Sequence, residues 1–338
     1  YMYRNFLDVL VEPNLIVFGR TFNPFSFPLN MVNLFRKLRK NRLLEINIWN
    51  KIKVALLENY FFKLKQDLVK LESKAKLYVS FCDSYLEENL AAQYFNQQGY
   101  STATLQHGQY RVNNRGFEGT DSESYLNFVS TYLFAWGIKT KHEFRKVGIE
   151  GSRIIVTGAL KPFTDSTKIA ESKKVNSFVV FLNGESHIHS NKGLLLWANK
   201  FAEKFGFTYT IKPHPMSRLD YYLRLTNNEF MGFVYEECDV FHNRFALVHS
   251  SAVILELMVK KFPYFQLNDE YLDSIFKNNY NNFANFEELI SLYQTLIPNE
   301  AEMVEKISKD YCLFNEARDL SAAKEAYKSA IKSIVNIN

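Results

Sequence analysis

Short apolar runs that end in a glycine or a polar loop, separated by stretches of helical spacing, recur along this chain in two series. In the first series Leu15–Gly19 reads as a buried strand, Lys76–Phe81, the Thr-rich Ser101–Leu105 and Arg153–Thr157 read as further strands, and Tyr125–Trp136 contains another apolar segment. Residues 30–72 and Ser84–Gln98 have helical spacing, and Gly99 stops the second of these helices. In the second series Ser177–Leu182, Phe207–Lys212, Gly232–Tyr235, Phe245–His249 and Pro263–Leu267 read as strands. Helices are expected at Lys192–Phe205 and Ala252–Lys260, with terminal helices over 285–336. Strands alternating with helices build parallel sheets covered on both faces. The polar stretch Lys161–Asn176 separates the series. The expected fold class is therefore α/β, with one Rossmann-like domain over 1–162, a second over 163–338, and a cleft where the two face each other.

The 338 residues suffice for two such domains. Lys plus Arg number 41 against 36 acidic residues, a net charge of +5, which suits an anionic ligand or a membrane surface and does not by itself imply nucleic acid. Cys82, Cys238 and Cys312 are odd in number and far apart, which argues against a disulfide framework or a Cys-rich zinc site and for a reducing compartment. No run of 18 apolar residues and no signal-peptide pattern occurs, so the expected location is cytoplasmic. The basic run Arg36–Arg42 lies among leucines and Phe35; it reads either as a solvated helix face or as a patch that docks on anionic lipid at the inner face of the cell membrane.

Ligands of parallel sheets bind at the loops after the strands, and four such loops stand out. Gln106–His107–Gly108 follows a buried strand; its imidazole suits a general base, or else it is a histidine satisfied inside a tight turn. In Lys212–Pro213–His214–Pro215 two prolines fix the backbone around His214, and Lys212 adds a cation, so the pair can hold a phosphate by charge-assisted hydrogen bonds. In His249–Ser250–Ser251 the serines precede a helix, where they either add hydroxyl donors to an anion site or simply cap the helix. Asn183–Gly184–Glu185 touches phosphate or acceptor, or is a solvated loop. His187 and His189 lack the partners of a zinc set, and no metal site is expected. The dinucleotide fingerprint, the P-loop and the nucleophile elbow are all absent from the sequence.

These motifs resemble the glycosyltransferases of the GT-B fold. More narrowly, the chain resembles the bacterial CDP-glycerol glycerophosphotransferases that polymerise teichoic acids, and it is similar to the CMP-sugar transferases of capsule and lipooligosaccharide. Gln106–His107–Gly108 occupies the place of that family's Trp-His-Gly, and Ile154 to Lys161, with Gly158, matches part of an Ile-x-x-x-Gly-x-Pro-Arg landmark. His214–Pro215 matches a His-Pro motif, and His249–Ser250–Ser251 with Lys261–Phe262–Pro263 matches the shape of Asp-Tyr-Ser-Ser followed by Lys-Pro. The resemblance covers about residues 75–272. It implies that Lys212, His214, Ser250 and Ser251 bind the donor's phosphates and that Glu256 reaches a ribose hydroxyl. His107 would act as the base, and Gln106, Gly108, Gly158, Lys161, Asn183 and Glu185 would line the cleft.

The reading that follows is an inverting, metal-independent glycosyltransferase without a resident cofactor. It would move a sugar from a CMP-, CDP- or UDP-linked donor to a capsule, teichoic acid or other lipid-linked surface glycan. The departures at Gln106, Lys161 and His249 favour a sugar over a CDP-linked polyol phosphate, which is the alternative within this class. Two further classes stand beside it. A nucleotide-sugar 2-epimerase would need cleft acids for elimination chemistry, and Glu118, Asp121 and Glu123 follow the His-Gly loop. A non-catalytic receptor would keep the cleft and dispense with His107.

Overall fold

The computed structural model describes residues 60–70, 76–108, 128–160, 176–214, 217, 225, 231–233, 240–272, 274–278, 280–317 and 319–337. The expected strand at 15–19, most of the helical stretch 30–72, Arg36–Arg42, the acids Glu118, Asp121 and Glu123, Lys161 and most of the polar separator lie outside the described residues.

A helical segment at residues 60–70 (α1) precedes the first parallel sheet. Its described strands are β1 (Leu77–Ser80), β2 (Ser101–Leu105), β3 (Tyr132–Ala135) and β4 (Ile154–Val156), in spatial order β1-β2-β3-β4 and all parallel. Helices α2 (Leu86–Gln97) and α3 (Ile138–Lys146) lie between them. Gly99 follows α2 with φ 83°, the left-handed turn that the stop signal predicts. Helix α3 is absent from the sequence expectation. It is nine residues long, mostly charged, and buries only Thr140, Glu143 and Phe144, so it shows little apolar periodicity.

The second sheet contains β5 (Ser177–Phe181), β6 (Thr208–Lys212), β7 (Met231–Phe233), β8 (Phe245–Val248), β9 (Tyr264–Leu267) and β10 (Asn282–Phe283). Its order is β10-β9-β8-β5-β6-β7, again all parallel. Strands β5, β8 and β9 are buried along their whole length, the pattern of strands covered on both faces. Phe178 of β5 stacks on Tyr209 of β6 at 5.2 Å and on Phe245 of β8 at 5.1 Å, which ties the centre of the sheet together. Helices α4 (Ile188–Phe205), α5 (Val253–Val259), α6 (Phe286–Leu296), α7 (Glu300–Phe314) and α8 (Leu320–Ile337) are the other helices among the described residues.

This order has a consequence for function. From β5 the chain runs outward through β6 to β7, then returns to β8 on the other side of β5 and runs outward to β10. The loops after β5 and β8 therefore diverge, and a topological switch point opens between them at the carboxyl ends of the strands.

The terminal helices divide between the sheets. Met303, Ile307 and Phe314 of α7 belong to the core of the second sheet. Ala323, Tyr327, Ala330 and Ile334 of α8 pack on the first, with the Tyr327 ring edge-on to Phe134 at 5.2 Å. The crossing is close: the Glu316 N–H donates to the Trp136 C=O at 2.9 Å, and the Ala159 N–H donates to Asn315 Oδ1 at 2.8 Å. A Cβ on Gly137 would lie 2.4 Å from the backbone of Phe314, so that position admits only glycine. Lys139 reaches across to the Ile275 C=O at 3.0 Å over the Phe314 ring, and burial lowers its ammonium pKa. Among the described residues no helix is long and apolar enough to cross a membrane.

Candidate functional site

Four loops of the second sheet meet at its carboxyl end, around the switch point. At their centre is His249, which is fully buried. Its Nε2 lies 2.8 Å from Asp269 Oδ1, and its Nδ1 lies 3.2 Å from Asn183 Nδ2. Asp269 also accepts from Ser190 Oγ at 2.6 Å and from the Tyr271 N–H at 2.9 Å. An ionised carboxylate can only accept, so Nε2 carries the proton of that bond, and the roles at the Nδ1–Asn183 contact follow from the tautomer. Burial works to raise the Asp269 carboxyl pKa. The hydrogen bond and electrostatic pull of His249, with the bonds from Ser190 and Tyr271, outweigh it and bring the carboxyl below its ordinary value.

The backbone of the β5 loop is held separately. The Asn183 N–H donates to Asn191 Oδ1 at 2.9 Å, and the Asn183 C=O accepts from Asn191 Nδ2 at 3.0 Å. Ser190 and Asn191 lie in the first turn of α4, which begins at Ile188 directly after a 3-10 turn at Glu185–His187. The helix therefore starts four residues earlier than the sequence spacing predicts, and His189 lies on a helix. Its exposed ring stacks on Tyr271 at 5.9 Å, while His187 lies 6.1 Å from His249.

The other expected residues of this half fall around the same point. A Cβ on Gly184 would sit 3.9 Å from His214 Nδ1, so the loops after β5 and β6 are neighbours. Lys212 ends β6, and its C=O accepts from the Leu182 N–H at 3.1 Å. Ser250 is buried, and Ser251 Oγ accepts from the Val253 N–H at 3.4 Å, a turn contact just before the Ala252 N-cap position of α5, which has no side-chain cap. That helix has only seven residues, so its dipole adds less to an anion site than a full-length helix would. Glu256 is half-buried in its first turn, and Glu185 is exposed.

In the first sheet the arrangement is different. Gln106 is completely buried; Oε1 accepts from the Trp136 N–H at 2.7 Å, and Nε2 donates to the Gly108 C=O at 2.9 Å. It fastens the turn that carries His107. The His107 ring is half-buried, 5.3 Å from Phe81 and 6.2 Å from Tyr85, which is 53% exposed. A Cβ on Gly108 would meet nothing within 4 Å. Gly158 has φ 85°, and a Cβ there would lie 2.2 Å from Ala317 Cβ, so its glycine serves the crossing of the chain into α8. Asp83, after β1, is buried and accepts from the Val129 and Ser130 N–H groups at 3.0 and 2.8 Å; burial raises its carboxyl pKa. Among the described residues no three His, Cys, Asp or Glu side chains gather to hold a metal ion.

Sequence reasoning singled out the His249 loop but missed the partners: Asp269, Ser190 and Asn191. Asp269 was within reach of the same rule that found the others, because it lies two residues after the end of β9.

No protein-family model matches the sequence, and no curated protein matches it. Solved structures do. A UDP-GlcNAc 2-epimerase from Neisseria meningitidis, bound to UDP-GlcNAc, superposes with a TM-score of 0.58 at 15% identity, covering 98% of this chain and 96% of that one. The MnaA–UDP structure from S. aureus gives 0.53 at 12% identity, covering 94% and 95%. The lipopolysaccharide outer core galactosyltransferase WaaB, in its apo form, gives 0.53 at 12% identity, covering 86% and 82%. The fold is thus α/β of the GT-B type, with parallel sheets of Rossmann-like topology. Proteins that share it include a nucleotide-sugar epimerase and a glycosyltransferase.

Proposed function

We propose that this chain is a nucleotide-sugar enzyme that holds the nucleotide at the switch point of its six-stranded sheet and inverts a stereocentre of the attached sugar, in the manner of a 2-epimerase. The observation that carries the reading is the meeting of Asn183–Gly184, His214 and His249–Ser250–Ser251 at that point. Lys212, His214 and the serines supply cationic and hydroxyl groups for the phosphates, and Glu256 is the ribose partner. The likeness over nearly the whole of both chains to structures holding UDP-GlcNAc and UDP supports the choice of ligand class. Inversion at the carbon next to the anomeric centre needs a base to remove its proton while the C–H electron pair expels the nucleotide from the anomeric carbon, and an acid to return a proton to the opposite face as the nucleotide adds back. His107, in the first half, is one such group; Glu118, Asp121 and Glu123 are the carboxyl candidates.

Glycosyl transfer is the second reading. The likeness to WaaB favours it, as does the exposed Tyr85 beside His107, a surface on which an acceptor sugar can stack. His107 would then take the proton of the acceptor hydroxyl.

Incubation with UDP-GlcNAc in deuterated water, without any acceptor, separates the two. Epimerisation gives the inverted sugar nucleotide with deuterium at the inverted carbon. A transferase leaves the donor intact until a glycan acceptor is added, and then releases nucleotide. CMP- and CDP-linked donors belong in the same assay because the sequence motifs resemble enzymes that use them.

A further inference from the structure

We propose that His249 is a positioning residue for the nucleotide: Asp269 locks its Nε2–H tautomer, and that tautomer orients the Asn183 amide and the Asn183–Gly184 loop against His214. The inference rests on the nucleotide-sugar reading above and adds the device that shapes the site.

The argument is one of hydrogen-bond direction. Ser190 Oγ–H and His249 Nε2–H both donate to Asp269, and in that tautomer His249 Nδ1 is the acceptor for Asn183 Nδ2, 3.2 Å away. Asp269 cannot donate while ionised, so its own links have a single polarity, and the proposed tautomer extends that polarity to Asn183. The four side chains come from α4, the β9 loop, the end of β8 and the end of β5, so the network ties together the loops on both sides of the switch point. His249 is fully buried and Asn183 nearly so, and in such surroundings an amide turned away from its partner is costly. Asn191 clamps the Asn183 backbone, and the His249 contact acts on its side-chain amide. Asp269 alone of the network keeps partial contact with solvent, with its side chain 24% exposed, and it can be altered with the least disturbance of packing.

Two substitutions at Asp269 test this. Asp269→Asn keeps an oxygen toward His249 and the Tyr271 N–H, and the Ser190 hydroxyl can turn to accept from the new amide, so the polarity survives. Asp269→Leu removes the acceptor. Ring nitrogen chemical shifts of His249 at neutral pH are expected to show the Nε2–H tautomer in the parent and in D269N, and loss of that fixed tautomer in D269L. Calorimetric titration with UDP is expected to give D269N within about threefold of the parent and D269L roughly tenfold weaker, the worth of one well-placed hydrogen bond. If D269L does not fold, Asn183→Ala removes the amide and leaves the other links, with the same tenfold loss expected. An Nδ1–H tautomer in the parent, or UDP binding by D269L or N183A as tight as the parent's, overturns the proposal. A parent that binds no nucleotide overturns instead the reading on which it rests, and the tautomer measurement still decides the lock.

Discussion

Two histidines follow buried strands, one at the end of β2 and one at the end of β8, and the two sheets use them in opposite ways. After β2 the buried residue is Gln106, whose amide fastens the turn from beneath, and His107 is carried outward beside Phe81 and Tyr85. After β8 the histidine itself is the fastener: His249 is buried between Asp269 and Asn183. A glutamine and a histidine thus do the same work at equivalent places, each cross-linking neighbouring strand ends. The comparison shows that a position after a strand does not by itself set a side chain's role: its partners decide whether it is carried outward, as His107 is, or buried as a fastener, as His249 is.

The sharpest way to break this contrast is to remove both imidazoles. His249→Leu leaves a buried amide and a carboxylate without their partner and is expected to cost about 3 kcal/mol of stability. His107→Ala, losing only half-buried ring contacts, is expected to cost less than about 1 kcal/mol. Denaturant midpoints give both numbers, and similar losses for the two would sink the distinction. Next in size is Gln106→Leu. It orphans the Trp136 N–H and the Gly108 C=O, at about 2 kcal/mol, whereas Gln106→Glu keeps the acceptor for Trp136 and should lose about half of that.

Two carboxylates, Asp83 buried and Asp269 partly buried, extend the comparison to pH. Asp269 has a folded pKa below its ordinary value, so its contribution is present above about pH 4 and is lost as pH falls through the folded value. Asp83 has a raised folded pKa, so its contribution is present below about pH 4 and is lost as pH rises through the folded value. The stability difference between the parent and Asp269→Asn should therefore shrink on acidification. Asp83→Asn retains an oxygen for the Val129 and Ser130 N–H groups and should gain on the parent as pH rises toward neutrality. Unfolding curves at a series of pH values check both signs, and parallel curves would refute them.

The fully buried strands β5 and β8 were legible as unbroken apolar runs, and β2 and β6 as Thr-rich segments that alternate with apolar residues, while β7 lies at Met231–Phe233, one residue before the expected Gly232 start. Three things were not legible. Helix α3 carries too few apolar residues to show a period. The return of α8 to the first sheet leaves no local trace, since a stripe of Ala323, Tyr327, Ala330 and Ile334 looks the same whichever sheet it covers. The Asp269–His249–Asn183 network joins residues 20 and 66 positions apart, and only the strand order brings them together. His249 stood out in the sequence as a departure from the teichoic acid pattern, and the structure gives that departure partners.

The central claim is that the nucleotide sits on the second sheet and not on the first. Thermal shift with UDP tests it most directly, alongside CMP and CDP, on the parent, His214→Ala and His107→Ala. A ligand that binds the folded state raises the melting temperature by mass action. The account predicts a rise in the parent, its loss in His214→Ala and its retention in His107→Ala. A rise that survives in His214→Ala and disappears in His107→Ala, or no rise with any of the three nucleotides, would contradict it.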